Sequence, residues 1–116
     1  MNTTPSSIEI FDKIAALEKN WNGYGADPIP SDAIVKAKAL FSRLLHKPFV
    51  SPVARESIQM EYDRDDGAYF ELEVYRDHVN IFYSKGRYSQ LVTRATDDQI
   101  FALTDDFFNK KGSYLG

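Results

Sequence analysis

The chain has no cysteine, which excludes a disulfide framework, cysteine-ligated zinc and thiol nucleophiles. Its only two histidines, His46 and His78, do not form a His-x-x-x-His pair. No apolar run approaches the roughly 20 residues a bilayer-crossing helix needs. The opening Met1-Asn2-Thr3-Thr4-Pro5-Ser6 also lacks the basic-then-apolar layout of a secretory signal. The expectation is therefore a cytoplasmic protein with no membrane partner. Positive charge is not in excess: 14 Lys and Arg face 17 Asp and Glu, a net charge of −3, which argues against a generic binder of phosphate backbones. No phosphate-cradling glycine loop is present either. Gly23-x-Gly25 follows a helical pattern where a dinucleotide site requires a strand, so no cofactor and no metal are expected.

What remains is an ordinary globular composition, 43% apolar and 27% charged, but rich in aromatics at 14%. At 116 residues the chain reads as a single α+β domain spanning 1–116, with frayed ends at about 1–5 and 110–116.

The most distinctive stretch is Asn20-Trp-Asn-Gly-Tyr-Gly-Ala-Asp-Pro-Ile-Pro30, which holds the only tryptophan. A connection that only turned the chain would not need Trp21, Tyr24 and Ile29. Trp21 is expected between two helices with its indole N–H on a backbone carbonyl. Gly23 and Gly25, bracketing Tyr24, are expected at positive φ. In this reading Trp21 and Tyr24 lock the helices against a sheet; the competing reading is an aromatic recognition loop.

The stretch resembles the Asn-Trp-(Asp/Asn)-Gly-Tyr-Gly-Ala-x-Pro-Ile signature of a group of small bacterial proteins, some from phage or mobile-element neighbourhoods. Ser51-Pro52, Ile58-Gln59-Met60-Glu61-Tyr62 and Glu71-Leu72-Glu73-Val74 are similar to further segments of that group. The resemblance implies no activity, catalytic residue or cofactor.

Periodicity supplies the rest. Ser6 or Ser7 is expected to cap a first helix running to about Lys19, with Ile10, Phe11, Ile14 and Leu17 on one stripe. Ser31 is expected to cap a second, with Ile34, Ala37, Phe41 and Leu44 or Leu45 inward, ended by Pro48. The period then changes to two. A loop at Asp65-Asp66-Gly67 would set Tyr62 opposite Phe70 and Ile58 opposite Val74. A two-residue turn at Arg76-Asp77 would pair Val74 with Val79. A turn at Lys85-Gly86 would pair Tyr83 with Tyr88 and Val79 with Val92. The sum is a four-stranded antiparallel meander in the order α-α-β-β-β-β-α, with Phe49 to Val53 as a candidate short edge piece beside it. Thr96-Asp97-Asp98-Gln99 reads as a capping box for a last helix with Ile100, Leu103 and Phe107 inward. Tyr114 and Leu115 are candidates to dock on a neighbour.

If the helices cover the Ile58/Leu72/Ile81 face, then Gln59, Glu61, Glu71, Glu73, Tyr75, His78, Asn80, Phe82 and Leu91 share the other. Glu61 would lie across from Glu71, a like-charge pair worth about 0.2–1 kcal/mol of repulsion unless a lysine, a cation or a basic partner offsets it. Glu61, Glu71, Glu73, Tyr75, His78 and Phe82 are accordingly the candidate binding residues, and a basic protein the expected partner. Two other chemistries draw on neighbouring residues. Glu61, Glu71 and Glu73 could serve a hydrolase or a divalent metal, since close carboxylates raise one pKa and share a cation. Arg76, His78, Lys85, Arg87 and Arg94 with Tyr83 and Tyr88 could hold single-stranded nucleic acid. No Ser-His-Asp order appears, so catalysis ranks below a protein-binding or regulatory module. Its process and its self-association are left open.

Overall fold

The computed structural model describes residues 4–109. The frayed-end expectation and the docking role considered for Tyr114 and Leu115 fall largely or wholly outside them. Helices α1 (Ile10–Ala15) and α2 (Ser31–Arg43) precede strands β1 (Phe49–Val53), β2 (Ser57–Asp63), β3 (Tyr69–Val74), β4 (Val79–Lys85) and β5 (Tyr88–Val92), and α3 (Asp97–Phe108) follows. The fold is α+β, with an antiparallel five-stranded sheet in sequential order.

The first helix is shorter at both ends than its apolar stripe predicts, and neither Ser6 nor Ser7 caps it. Ser6 donates its backbone N–H to Pro48 O at 2.9 Å, and its hydroxyl oxygen accepts from the Val50 N–H at 2.8 Å. The N-terminal segment is thereby pinned to β1, and α1 starts at Ile10, with Glu9 at the N-cap position making no side-chain cap bond. Ser31 likewise is the first residue of α2 rather than its cap, which is Pro30. The apolar stripe of α2 is buried through Ala33, Ala37, Leu40, Phe41 and Leu44, while Leu45 is 83% exposed. The Lys47 ammonium closes the helix by donating to Phe41 O and Leu44 O at 2.6 and 2.8 Å, where positive charge complements the dipole. Phe11 meets Phe41 edge-on at 5.4 Å and joins the two helices.

The loop between them is knit by its asparagines. Asn22 Oδ1 accepts from the N–H of Tyr24 and Ala26, and Asn20 Oδ1 accepts from Gly25 N–H. Gly23 and Gly25 stand at φ +79° and +85°, as expected. The Trp21 indole donates to Asp27 O at 2.8 Å, also as expected, but the ring is only half-buried. Tyr24 locks nothing: it is 92% exposed. The two glycine turns throw it to the loop tip, and Ala26 and Ile29 are the loop's buried anchors.

In the sheet, the β2–β3 and β3–β4 registers match expectation, with Tyr62 opposite Phe70, Ile58 opposite Val74 and Val74 opposite Val79. Two expectations fail, the strand count and the last turn. The candidate edge piece Phe49–Val53 is a fifth strand, paired with β2 from Phe49↔Glu61 to Val53↔Ser57, so the sheet has five strands and not four; Pro52 is tolerated because β1 is an edge. The last hairpin turns at Gly86-Arg87, so Tyr83 faces Gln90 and Lys85 faces Tyr88. Gly86 at φ +59° takes the first central position, where a type II′ turn requires glycine. The capping box on α3 is present, with Gln99 N–H donating to Thr96 Oγ1 and Thr96 N–H to Gln99 Oε1.

All three helices lie on one face of the sheet. Phe107 of α3 is fully buried, its ring 5.4 Å from Phe70 and 6.3 Å from both Tyr62 and Tyr83. Ile58, Met60, Phe70, Leu72 and Ile81 form the floor beneath. Among the described residues, no helix is long and apolar enough to cross a membrane.

Candidate functional site

Alternation along the strands puts Ser57, Gln59 and Glu61 of β2, Tyr69, Glu71 and Glu73 of β3, and Asn80 and Phe82 of β4 on the face the helices leave uncovered. The structure brings all six predicted site residues to this face but divides them into two groups with different chemistry.

The first group is closed within the chain. Glu73 is 6% exposed. Its Oε1 accepts from Arg55 Nη2 at 2.7 Å, and its Oε2 accepts from Arg55 Nε and from the Ser57 hydroxyl. Burial pushes the Glu73 carboxyl up, but the Arg55 and Ser57 donors outweigh it and leave the group below its ordinary value. Arg55 Nε also donates to the Tyr75 hydroxyl at 3.2 Å, and Tyr75 stacks on His78 at 4.4 Å and 7°. His78 Nδ1 lies 2.7 Å from Asp77 Oδ1. Glu73, Tyr75 and His78 are therefore held as one polar seam at the turn end of β3, not offered to a ligand. Arg55 and Ser57 were not among the predicted residues. The missed signal is the β1–β2 connection: once Phe49–Val53 is a strand, the turn Ala54-Arg55-Glu56 lies beside the same face.

The second group is open. Glu61 sits opposite Glu71 as predicted, and the row continues on both sides as Phe49, Glu61, Glu71, Phe82 and Leu91, one residue from each strand. Among the described residues no ion pair is made to either carboxylate, although the charge of Arg55 acts to lower Glu71. Neutral donors take one oxygen of each: Gln59 Nε2 donates to Glu61 Oε1 at 2.8 Å and the Tyr69 hydroxyl to Glu71 Oε1 at 2.7 Å. Gln59 Nε2 also donates to the Tyr69 oxygen at 3.2 Å, which links the two carboxylates through a polar bridge. Burial pushes Glu71 up, and the charges of Glu73 and Glu61 add to the push against the Tyr69 bond. Burial, then the Glu71 carboxylate, likewise lift the Tyr69 hydroxyl above its ordinary range. The row thus holds a concentrated, incompletely neutralised negative charge between apolar flanks, with Phe49 38% and Leu91 58% exposed. At the β1 side it runs into a groove of about 460 Å³, lined by Phe49, Glu61, Asp63, Tyr62, Phe108 and the connection from α2 to β1 at Leu45, His46 and Lys47.

The other two expectations lose their geometry. A three-carboxylate hydrolase or metal site needs Glu73, whose oxygens are occupied by Arg55 and Ser57. Among the described residues, no three His, Asp or Glu side chains are placed to hold a metal ion. The cations considered for nucleic acid separate to opposite ends of β4, with Arg76 and Arg94 at one end and Lys85 and Arg87 at the other. Seven strand residues put those ends roughly 20 Å apart. Lys85 lies 3.3 Å from Asp66 and Arg94 4.0 Å from Asp77, and Tyr83 is buried under α3.

Compared with protein-family models, with curated proteins and with solved structures, the chain finds no match in any of the three.

Proposed function

We propose that the chain is a small cytoplasmic binding or regulatory module that docks a basic protein segment on the uncovered face of its sheet. The observation that supports this most is the Glu61/Glu71 pair. Two carboxylates side by side on an uncovered sheet face repel, and among the described residues their side-chain donors are a glutamine and a tyrosine. An arginine or lysine from a partner would relieve the repulsion, while Phe49, Phe82 and Leu91 supply the apolar contact that flanks a charged anchor. The mobile-element setting implied by the Asn20–Ala26 resemblance belongs to the same proposal.

The test is affinity capture from the host lysate with wild type, with Glu61→Lys/Glu71→Lys and with Phe82→Ala/Leu91→Ala, each shown to be folded by circular dichroism. A stoichiometric protein held by wild type, released by moderate salt and lost from both variants is the expected result. A protein retained equally by the charge-reversed variant would refute the assignment of this face. A millimolar divalent-cation titration by calorimetry checks the metal reading, and it is expected to show no heat of binding.

A further inference from the structure

The two edges of the sheet are treated differently. In β1 the outward-pointing backbone positions are Val50 and Pro52. The Val50 N–H is taken by Ser6, and Pro52 has none to offer. That edge is closed to another strand. In β5 neither device is present. The two-residue turn at Gly86-Arg87 closes on the Lys85/Tyr88 pair, so Tyr88, Gln90 and Val92 direct their backbone groups at β4. Ser89 and Leu91 therefore present their N–H and C=O groups outward. The strand Tyr-Ser-Gln-Leu-Val contains no proline, glycine or charge, and four of its five residues are exposed. The β-bulge that blunts many edges comes only after it, where Ala95 N–H replaces Arg94 N–H on Val79 O and Arg94 stands at φ +52°.

We propose that β5 is a self-pairing edge, joining two copies of this chain through an antiparallel β5–β5 contact into a continuous ten-stranded sheet. The strand is complementary to itself. Full overlap of Tyr88–Val92 places Gln90 opposite the partner's Gln90, and Tyr88 opposite the partner's Val92 at both ends. Aromatic–β-branched pairs of that kind are among the favourable cross-strand combinations. Ser89 faces the partner's Leu91 twice, and these two pairs carry the new backbone hydrogen bonds. No charged residue lies within the paired strands, so the contact brings no like charges face to face, and the Arg94 guanidinium is drawn back towards Asp77. Tyr88 and Gln90 are exposed on the helix side of the sheet, the Tyr88 hydroxyl donating to Gln90 Oε1 at 2.9 Å, so no helix obstructs the approach. The two Glu71 side chains would then stand five strand spacings apart, roughly 24 Å, on one face. The inference does not depend on what that face binds.

The absence of cysteine makes the register directly testable. Gln90 opposite Gln90 is a non-hydrogen-bonded pair with Cα atoms about 4.5 Å apart, within the span of a disulfide. Leu91 and the partner's Leu91 would be offset to about 8 Å, beyond it. Under mild oxidation Gln90→Cys is expected to form covalent dimer at least tenfold faster than Leu91→Cys. Sedimentation of wild type from about 10 μM to about 1 mM should show a reversible dimer. Ser89→Pro removes only an outward N–H and should weaken it at least tenfold; Leu91→Lys, which leaves the backbone intact, should do the same. A monomer at every concentration, a dimer indifferent to both edge variants, or Leu91→Cys cross-linking faster than Gln90→Cys would each overturn the proposal.

Discussion

Replacing Arg55 by methionine tests how the sheet face is built, because the effect should depend on pH in a way that mere loss of a surface contact would not. Arg55 is the charged partner of Glu73, whose side chain is 8% exposed while that of Arg55 is 60% exposed. The methionine keeps the aliphatic stem and removes both guanidinium donors, leaving the carboxylate with the Ser57 hydroxyl. Orphaning a fully buried charge costs about 3–5 kcal/mol, whereas exposed ion pairs are worth about 0–1 kcal/mol. Here water can enter on the Arg55 side, so the loss at pH 7 should be about 1–2 kcal/mol, between those limits. In wild type the Glu73 carboxyl titrates below its unfolded value. Its contribution is therefore present above the unfolded pKa and is lost as pH falls through the lower folded one. In Arg55→Met the burial is less opposed and the carboxyl titrates higher, so the penalty is present at neutral pH and relieved by protonation. Urea unfolding of the two proteins should differ at pH 7 and converge below about pH 4. Glu73→Gln in the Arg55→Met background should recover most of the loss at pH 7. A difference that is the same at pH 7 and pH 4, or a double variant as unstable as the sum of the two single ones, would refute the reasoning.

Two further measurements concern the loop and the last helix. Trp21 is half-buried with one backbone bond, so Trp21→Ala should cost about 1.5–3 kcal/mol, less than the 3–5 of a fully buried aromatic. Tyr24→Ala, at the exposed tip, should stay within about 0.5 kcal/mol, and denaturant titration of the pair separates a packing loop from a loop tip that is decorative for stability. Thr96→Ala removes one half of the capping box and should cost about 1 kcal/mol in the same assay; a loss under about 0.3 kcal/mol would mean that Ile100 and Phe107 hold α3 without the cap.

The first two hairpins are legible in the sequence because register is overdetermined there: a slip by one residue would expose Ile58, Met60, Leu72 and Ile81 together. The last hairpin escapes the same logic. With Tyr83, Tyr88, Gln90 and Val92 all tolerable on the helix side, the pattern does not separate a turn at Lys85-Gly86 from one at Gly86-Arg87, and only the φ requirement of Gly86 decides. Strand β1 is hidden by Pro52, which argues against a central strand but not against an edge. The cap predicted at Ser6 fails because a cap is a local preference, and Ser6 has a long-range use in closing β1 that no window of sequence displays; the one at Ser31 misses by a single residue. The Glu61/Glu71 opposition follows from register alone and is legible. The sequestration of Glu73 is not, since it depends on Arg55 reaching across from a turn outside the assumed sheet.

That contrast separates the two kinds of acidic residue on one face. Where a carboxylate serves the fold, the chain supplies it with a guanidinium, a hydroxyl and near-complete burial, as at Glu73. Where it does not, as at Glu61 and Glu71, the donors among the described residues are neutral, although the exposed flanks Phe49 and Leu91 stand at positions where a lysine would bring positive charge to the row at no cost to the core. A sequence shaped for stability alone has an inexpensive remedy available and leaves it unused. Departures from local consistency that go uncompensated concentrate at functional sites, and the physical character of this one, negative charge between apolar shoulders, is what the proposed basic partner rests on.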